Sequence, residues 1–324
     1  MTVGKPTLSV VICAYTTDRW AQIQDAVRSV LEQEPPAHEV LLVVDHCESL
    51  LGLAQETFAA TEVRVIANQN VKGLSGARNT GTAAATGDVV VFLDDDAVAQ
   101  PGWLAGHARH YEDPAVVGVG GQVLPAWENA APAWFPVEFG WVVGCSYRGQ
   151  PTVTAPVRNP IGANMSFRRP VIEAVGGFTT SLGRVGASPE GCEETELSIR
   201  AAAAFPNSKI LHEPDAAVRH HVPAQRGTWR YFRRRCWAEG RSKARMSRLV
   251  SARSALASES AYVRTTLPNG VRSNLVAAGR RRDPTLLARA TAICVGFAIT
   301  SAGFTSGRLA SGIAARGTAA GPRS

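Results

Sequence analysis

The sequence predicts an α/β fold with a mostly parallel central sheet and a helical C-terminal extension. Three patterns carry that expectation. Short apolar, β-branched runs recur through the first 120 residues, helical periodicity separates them, and the last third of the chain changes to basic and then uncharged helical stretches. Strands that are apolar throughout and joined by helices belong in a parallel sheet covered on both faces.

LSVVICAY (8–15) reads as the first strand, and Trp20, Ile23, Val27, Val30 and Leu31 then return at helical spacing until Pro35 and Pro36 end the helix. VLLVVD (40–45) is a second buried strand. A helix over about 49–60, a short strand VRVI (63–66), a glycine-rich turn, a small-residue helix (75–86) and the strand DVVVFLD (88–94) follow. Between 121 and 162 the periodicity fades while Pro and Trp accumulate, as in a long excursion lining a cleft. Residues 163–221 return to mixed α/β structure, and 226–255 form a basic helical pattern with Trp229, Phe232, Cys236 and Trp237 on one stripe. The expected organisation is an α/β domain over 1–222 with halves at about 1–120 and 121–222, a basic helical region over 223–310, and a disordered tail over 311–324.

A chain of 324 residues, 45% hydrophobic and 19% charged, buries a real core, which excludes disorder as its main state. The net charge of +7 divides unevenly: residues 1–212 hold 14 Lys and Arg against 22 Asp and Glu, whereas 213–324 hold 20 against 5. An acidic body with a basic tail fits a domain docking on an anionic surface or ligand, and no nucleic-acid partner is expected. The six cysteines lie far apart and never form CxxC, so a zinc module or disulfide scaffold is excluded and reduced thiols of a cytosolic protein are expected. MTVGKPTLSVVICAY has neither the charged start nor the long apolar run of a secretory signal.

Ligands of open parallel sheets sit at the carboxyl ends of the strands, and those ends carry the chemistry here. FLDDDA (92–97) places three carboxylates at the end of a buried strand, where they repel unless a hard divalent cation binds or one of them caps a helix. Asp45 ends the second strand, as an acceptor for a ribose hydroxyl or base N–H or as a turn former. No GxGxxG follows the first strand, which argues against a dinucleotide site. VKGLSGARNTG (71–81) combines Gly73, Gly76 and Gly81 with Arg78, allowing close backbone approach to a ligand and a cation for its oxygens, without the GK[ST] of a phosphate loop. EGCEETELSIR (190–200) puts Glu193, Glu194 and Glu196 at a helix start, where they favour the helix dipole or, by crowding, supply a general base. Of His220 and His221, adjacent on a strand, at most one faces the site.

In their order, VVICAY, VVD, GLSGARNTG, FLDDD, GANMSFRR, GGF and EETEL make residues 7–222 resemble the family 2 glycosyltransferases of the GT-A fold, a Rossmann-like sandwich. The resemblance implies inverting transfer of a sugar from a nucleotide-diphosphate donor to a hydroxyl acceptor, with Mg²⁺ or Mn²⁺. By that resemblance Ala14, Tyr15, Thr16, Asp45, Gly73, Arg78, Asp94 and Asp95 hold the nucleotide sugar, and Asp94 and Asp96 form the DxD metal site. His220, with His221 as the alternative, is a further metal ligand. Glu194 stands where the family has its base, usually Asp, and Glu193 is its rival. Asn164 and Trp141 fall on the acceptor side, and Trp127 and Trp134 either stack on sugar or pack the lobe. QRGTW (225–229) has Thr228 where processive members carry Arg, so single addition is expected. The acceptor is a glycan, a lipid-linked intermediate or a small molecule.

A nucleotidyltransferase of related fold would carry an early glycine-rich basic loop, which AYTTDRW does not supply, and a non-catalytic sugar-binding protein is the other alternative. Residues 290–307 hold no charge over 18 positions, but Gly, Ser and Thr make them weakly hydrophobic. A buried or interfacial helix is expected there, with cytoplasmic localisation and peripheral attachment to an anionic membrane on its cytosolic face.

Overall fold

The computed structural model describes residues 5–183, 191–249 and 260–318. Its first half follows the predicted alternation: β1 (Leu8–Ala14), α1 (Trp20–Leu31), β2 (Glu39–Val44), α2 (Glu48–Phe58), β3 (Val63–Ala67), α3 (Leu74–Ala84) and β4 (Val89–Asp94). There follow β5 (Ala97–Ala99), α4 (Trp103–Ala108), β6 (Val116–Trp127), β7 (Ala155–Val157), β8 (Asn164–Arg168), α5 (Arg169–Ala174), α6 (Glu193–Ala204) and β9 (Lys209–Val222). Among the described residues three long helices follow: α7 (Trp229–Leu249), α8 (Leu267–Arg281) and α9 (Pro284–Thr318).

The nine strands form one sheet in the order β3-β2-β1-β4-β8-β6-β9-β5, with β7 also paired to β9. The first four strands are mutually parallel, β6 and β9 continue in the same sense, and β5, β7 and β8 run against them. Successive residues of one strand enter opposite cores. Val10 and Ile12 of β1 join one core with Val27 of α1, while Val11 joins the other with Ala77 of α3. The small residues of α3 let it lie close: a Cβ at Gly81 would come within 2.4 Å of Val11 Cγ1. All six thiols are free.

Two features of the second half shape the site. β9 carries both histidines inside a 14-residue strand. The excursion at 121–162 contains the outer half of β6 and a 3₁₀ stretch, Val137–Val143. There Trp134 packs on Trp229 and Phe232, and Trp127 packs on Phe135, so these two indoles build the lobe that seats α7.

The uncharged C-terminal segment is helical. Pro284–Leu309 is long and apolar enough to cross a membrane, yet 33% of its most apolar window is buried inside the protein. Glycines set that packing. A Cβ at Gly240 of α7 would stand 2.1 Å from the carbonyl oxygen of Thr300, and one at Gly303 of α9 would stand 2.4 Å from that of Trp237. α9 continues to Thr318, into the stretch expected as a tail, and residues 319–324 of that stretch lie outside the described residues.

Gly240→Val tests the crossing. Its neighbours are main-chain atoms, so the helices must separate to admit the side chain, at a cost of about 1–3 kcal/mol and a fall in Tm of about 2–10 °C in a melt followed by circular dichroism.

Candidate functional site

β4 ends at Asp94, the chain turns tightly through Asp95 and Asp96, and β5 pairs antiparallel with β9 so that Ala97 stands opposite His220. That register delivers an imidazole from the far end of the sheet to the acidic turn. Ligand atoms of Asp94, Asp96 and His220 all lie within 4.8 Å of one another. His220 Nε2 is 3.1 Å from Asp96 Oδ1, while Arg19 Nη1 is 2.8 Å from Asp95 Oδ1 and 3.2 Å from Asp96 Oδ2. Arg226 Nη2 stands 3.8 Å from Asp96 Oδ2. Burial, with the charge of Asp96 added, pushes the Asp95 carboxyl up. Burial would raise Asp96 too, but His220 and Arg19 hold it well below the usual carboxylate range. His220 rises to about 10: burial opposes its charge, and Asp96 outweighs burial.

Two carboxylates and an imidazole converging on one point are a donor set for a divalent cation, and the buried Oδ2 of Asp95 beside them has no hydrogen-bond partner. The residues present therefore fit a metal. Of the two histidines His220 faces the turn, whereas the His221 backbone N–H donates to the Asp96 carbonyl at 2.7 Å. Asp95, expected on the donor, is instead turned into the protein toward Arg19.

A cavity of about 700 Å³ opens beside this turn, with Asp94, His220, Glu193 and Glu194 in its wall. α6 brings the two glutamates there. Arg78, 2% exposed, donates to Glu193 Oε1 at 3.0 Å and to the Gly162 carbonyl at 2.9 Å, and lies 3.4 Å from Asp94 Oδ1. These contacts make it a buried tie between β4, α6 and the loop before β8, and its side chain also stands in the cavity wall. Glu194 is free of that tie. Burial first, and the charge of Glu193 second, push its carboxyl up to about 7. Glu196 takes no part, being bound to Arg200 and Thr179.

The other expected residues divide. Trp141 lines the cavity, whereas Asn164 does not. The Asn164 side chain is fully buried, accepts from Trp103 Nε1 at 2.8 Å, lies 2.9 Å from His107 Nε2, and donates to the carbonyls of Gln122 and Ala216. Every polar position of the amide is taken by scaffold, so its acceptor-side assignment is corrected. Ala14, Tyr15, Thr16, Asp45 and Gly73 gather at the carboxyl ends of β1 and β2, outside the cavity lining. Asp45 accepts from Asn68 Nδ2 at 2.7 Å and from the Gly73 backbone N–H at 2.9 Å, organising the loop around the second strand end. Tyr15 lies under Arg19, with 5.3 Å between guanidinium and ring centre, which connects that group to the acidic turn.

Arg19 and Arg226 carry no local signal in the sequence, and neither do Glu239 and Lys243, which with Arg235 of the basic helix α7 line the cavity. Arg226 lies in QRGTW, but its use as a partner of Asp96 depends on β9 returning past the turn.

Comparison with known proteins follows the same lines. The profile of glycosyl transferase family 2 matches residues 9–176. Over 238 residues the chain is 35% identical to glucosyl-dolichyl phosphate glucuronosyltransferase of Haloferax volcanii, covering 73% of this chain and 76% of that protein. A mannosyltransferase of Pyrobaculum calidifontis solved with GDP-Man and Mn²⁺ superposes with a TM-score of 0.56 at 18% identity, over 92% of this chain and 88% of that one. GalNAc-T7 solved with UDP, GalNAc and Mn²⁺ gives 0.52 at 20% identity, over 73% of this chain and 48% of its own. Both solved structures share the GT-A fold seen here.

Arg78→Met removes the tie without emptying its space. It leaves Glu193 and Asp94 facing each other unpaired, so unfolding in urea shows a loss of about 3–5 kcal/mol, and Arg78→Lys recovers only part of it.

Proposed function

This chain belongs to glycosyl transferase family 2 and is a glycosyltransferase, and from that premise we propose that it moves a sugar from a nucleotide-diphosphate donor to a hydroxyl acceptor with inversion and with a divalent metal. The observation that carries the reading is one cavity wall holding both Asp94 and His220 of the candidate metal site and Glu194, a carboxylate whose proton affinity is near neutral. GDP-Man in one of the solved structures, UDP with GalNAc in the other and Mn²⁺ in both support the donor class and the metal.

Asp94, Asp96 and His220 hold the ion in this proposal. Bound there, Mg²⁺ or Mn²⁺ supplies positive charge for the leaving diphosphate. An imidazole among the ligands favours Mn²⁺, since Mg²⁺ is reluctant to leave an all-oxygen shell.

The remaining chemistry falls to the chain's own side chains. The acceptor oxygen attacks the anomeric carbon from the face opposite the leaving group, forming the new glycosidic bond as the bond to the diphosphate oxygen breaks. Glu194 takes the hydroxyl proton. It suits that task better than Glu193, which Arg78 engages and holds in place. Trp141 offers an apolar face in the same cavity for a sugar ring. The backbone around Ala14, Tyr15 and Thr16, with Asp45 and Gly73 beside it, forms the nucleotide shelf at the strand ends. Thr228 in place of the processive motif's Arg supports single addition. The acceptor is a glycan or a lipid-linked glycan, in keeping with the glucosyl-dolichyl phosphate named for the Haloferax relative.

Glu194→Gln lowers turnover about 10²- to 10⁴-fold while donor affinity in titration calorimetry stays within about twofold. Asp96→Ala abolishes the Mn²⁺-dependent part of donor binding. Equal loss of donor affinity in both variants would reverse these roles.

The pH profile gives a separate check. The base works deprotonated, so activity of the wild-type enzyme is low below pH 7, rises as pH passes through about 7 and levels off above it. The residual activity of Glu194→Gln lacks that rising limb.

A further inference from the structure

The outer face of α7 is built differently from its inner face. Arg230, Arg233, Arg234, Trp237, Arg241 and Arg248 are all exposed and, at 3.6 residues per turn, fall on one side of the helix along its length. Glu239, the single acid in α7, is on the cavity side. Trp229 and Trp237 are 37% and 39% exposed, and they flank a groove of about 540 Å³ shared with Arg230, Arg233, Arg234 and Ile299 of α9. Beside this groove runs the outer side of α9, which is uncharged from 290 to 307, exposes Thr291, Cys294, Ala298 and Ser301, and presents Phe297, with Leu287 just before it. Phe297, Ser301 and Thr305 of that side also line the active cavity. The ridge of α9 therefore separates the arginine groove from the cavity rim.

We propose that the α7–α9 face is a docking surface for an anionic lipid bilayer, with α9 lying in the interfacial plane rather than spanning it. Each component matches one layer of such a surface. Arginines along one line pair with headgroup phosphates, indoles sit at the headgroup level, and an uncharged ridge enters the acyl boundary. The glycine contacts of Gly240 and Gly303 hold α9 against α7, so the helix cannot leave the protein to cross the membrane alone. A nucleic acid would also answer the arginines. It would gain nothing from Leu287 and Phe297, which lipid buries. Docked this way, the cavity rim faces the lipid surface, where an acceptor anchored in the membrane arrives laterally.

The test is sedimentation of the full chain with vesicles of phosphatidylcholine alone, and of phosphatidylcholine with one third phosphatidylglycerol. The protein binds the anionic vesicles, not the neutral ones, and high salt releases it. Combined Arg230→Glu, Arg233→Glu and Arg241→Glu weakens binding about 100-fold, and Trp237→Ser weakens it several-fold, while Tm and donor hydrolysis in solution remain those of the wild type. Equal binding to neutral vesicles, undiminished binding of the triple variant, or tighter binding to duplex DNA than to anionic vesicles overturns the proposal. Release by detergent alone, with salt ineffective, overturns the interfacial placement of α9. Sedimentation is read without turnover, so its failure leaves the transferase reading intact, and loss of hydrolysis in Glu194→Gln leaves docking intact.

Discussion

A guanidinium with 2% exposure has to find its counter-charges inside the protein, and Arg78 finds them on elements distant in sequence. Glu193 lies 115 positions away and the Gly162 carbonyl 84 positions away, with Asp94 completing the set. The rings of Phe92 and Phe178 flank the guanidinium, their centres 5.9 and 5.5 Å from its carbon, and exclude the water that would otherwise solvate it. Because an unpaired charge there is so costly, the position of α6 relative to β4 is not free to vary. The distance between Asp94 and the helix bearing Glu194 is fixed by this one side chain, which sets the metal end of the cavity against its base.

The acidic turn obeys the same rule with different cations. Asp94, Asp95 and Asp96 follow one another with two of the three buried, an arrangement that repels itself in isolation. Arg19 from the segment after β1, Arg226 from the segment after β9, and His220 from within β9 approach from three sides. The antiparallel register of β5 on β9 is what aims His220, since a shift of one residue would present Arg219 or His221 in its place. Backbone pairing thereby determines the chemistry of a ligand set whose histidine is more than 120 residues from its aspartates.

What the sequence makes legible follows from how local each signal is. β1 to β4 are legible because residues buried on both faces leave continuous apolar runs, and Asp94 and Asp96 because like charges at the end of such a run need a reason. His220 is legible only as one of a pair, and its choice over His221 requires the register. The partners of Asn164, Asp45 and Arg78 are not legible, because other loops supply them. Asn164 looks like a site residue beside Gly162 and Ala163, yet Trp103, His107, Gln122 and Ala216 consume its amide. α9 shows the opposite failing. The glycines and hydroxyls that weaken its hydropathy are the feature that admits it to within backbone contact of α7, so composition alone reads as a poor membrane helix what packing reveals as a close-fitting one.

The division of charge between the two parts of the chain takes on a different meaning once burial is added. The acids of the site are balanced by cations that the fold brings beside them, two from the acidic part itself, Arg19 and Arg78, and two from across the boundary, His220 and Arg226. On the inner side of α7, Arg235 and Lys243 are likewise matched, both to Glu239. Beyond Arg226, which approaches Asp96, and Arg235 and Lys243, the basic residues of α7 are not spent on the carboxylates of the site. They stand on the outer side of α7, where no acid of that helix opposes them, next to an exposed uncharged ridge of α9. A protein that only needed solubility would gain nothing from placing two exposed indoles within that row of arginines, whereas an interface with one polar and one apolar layer uses both.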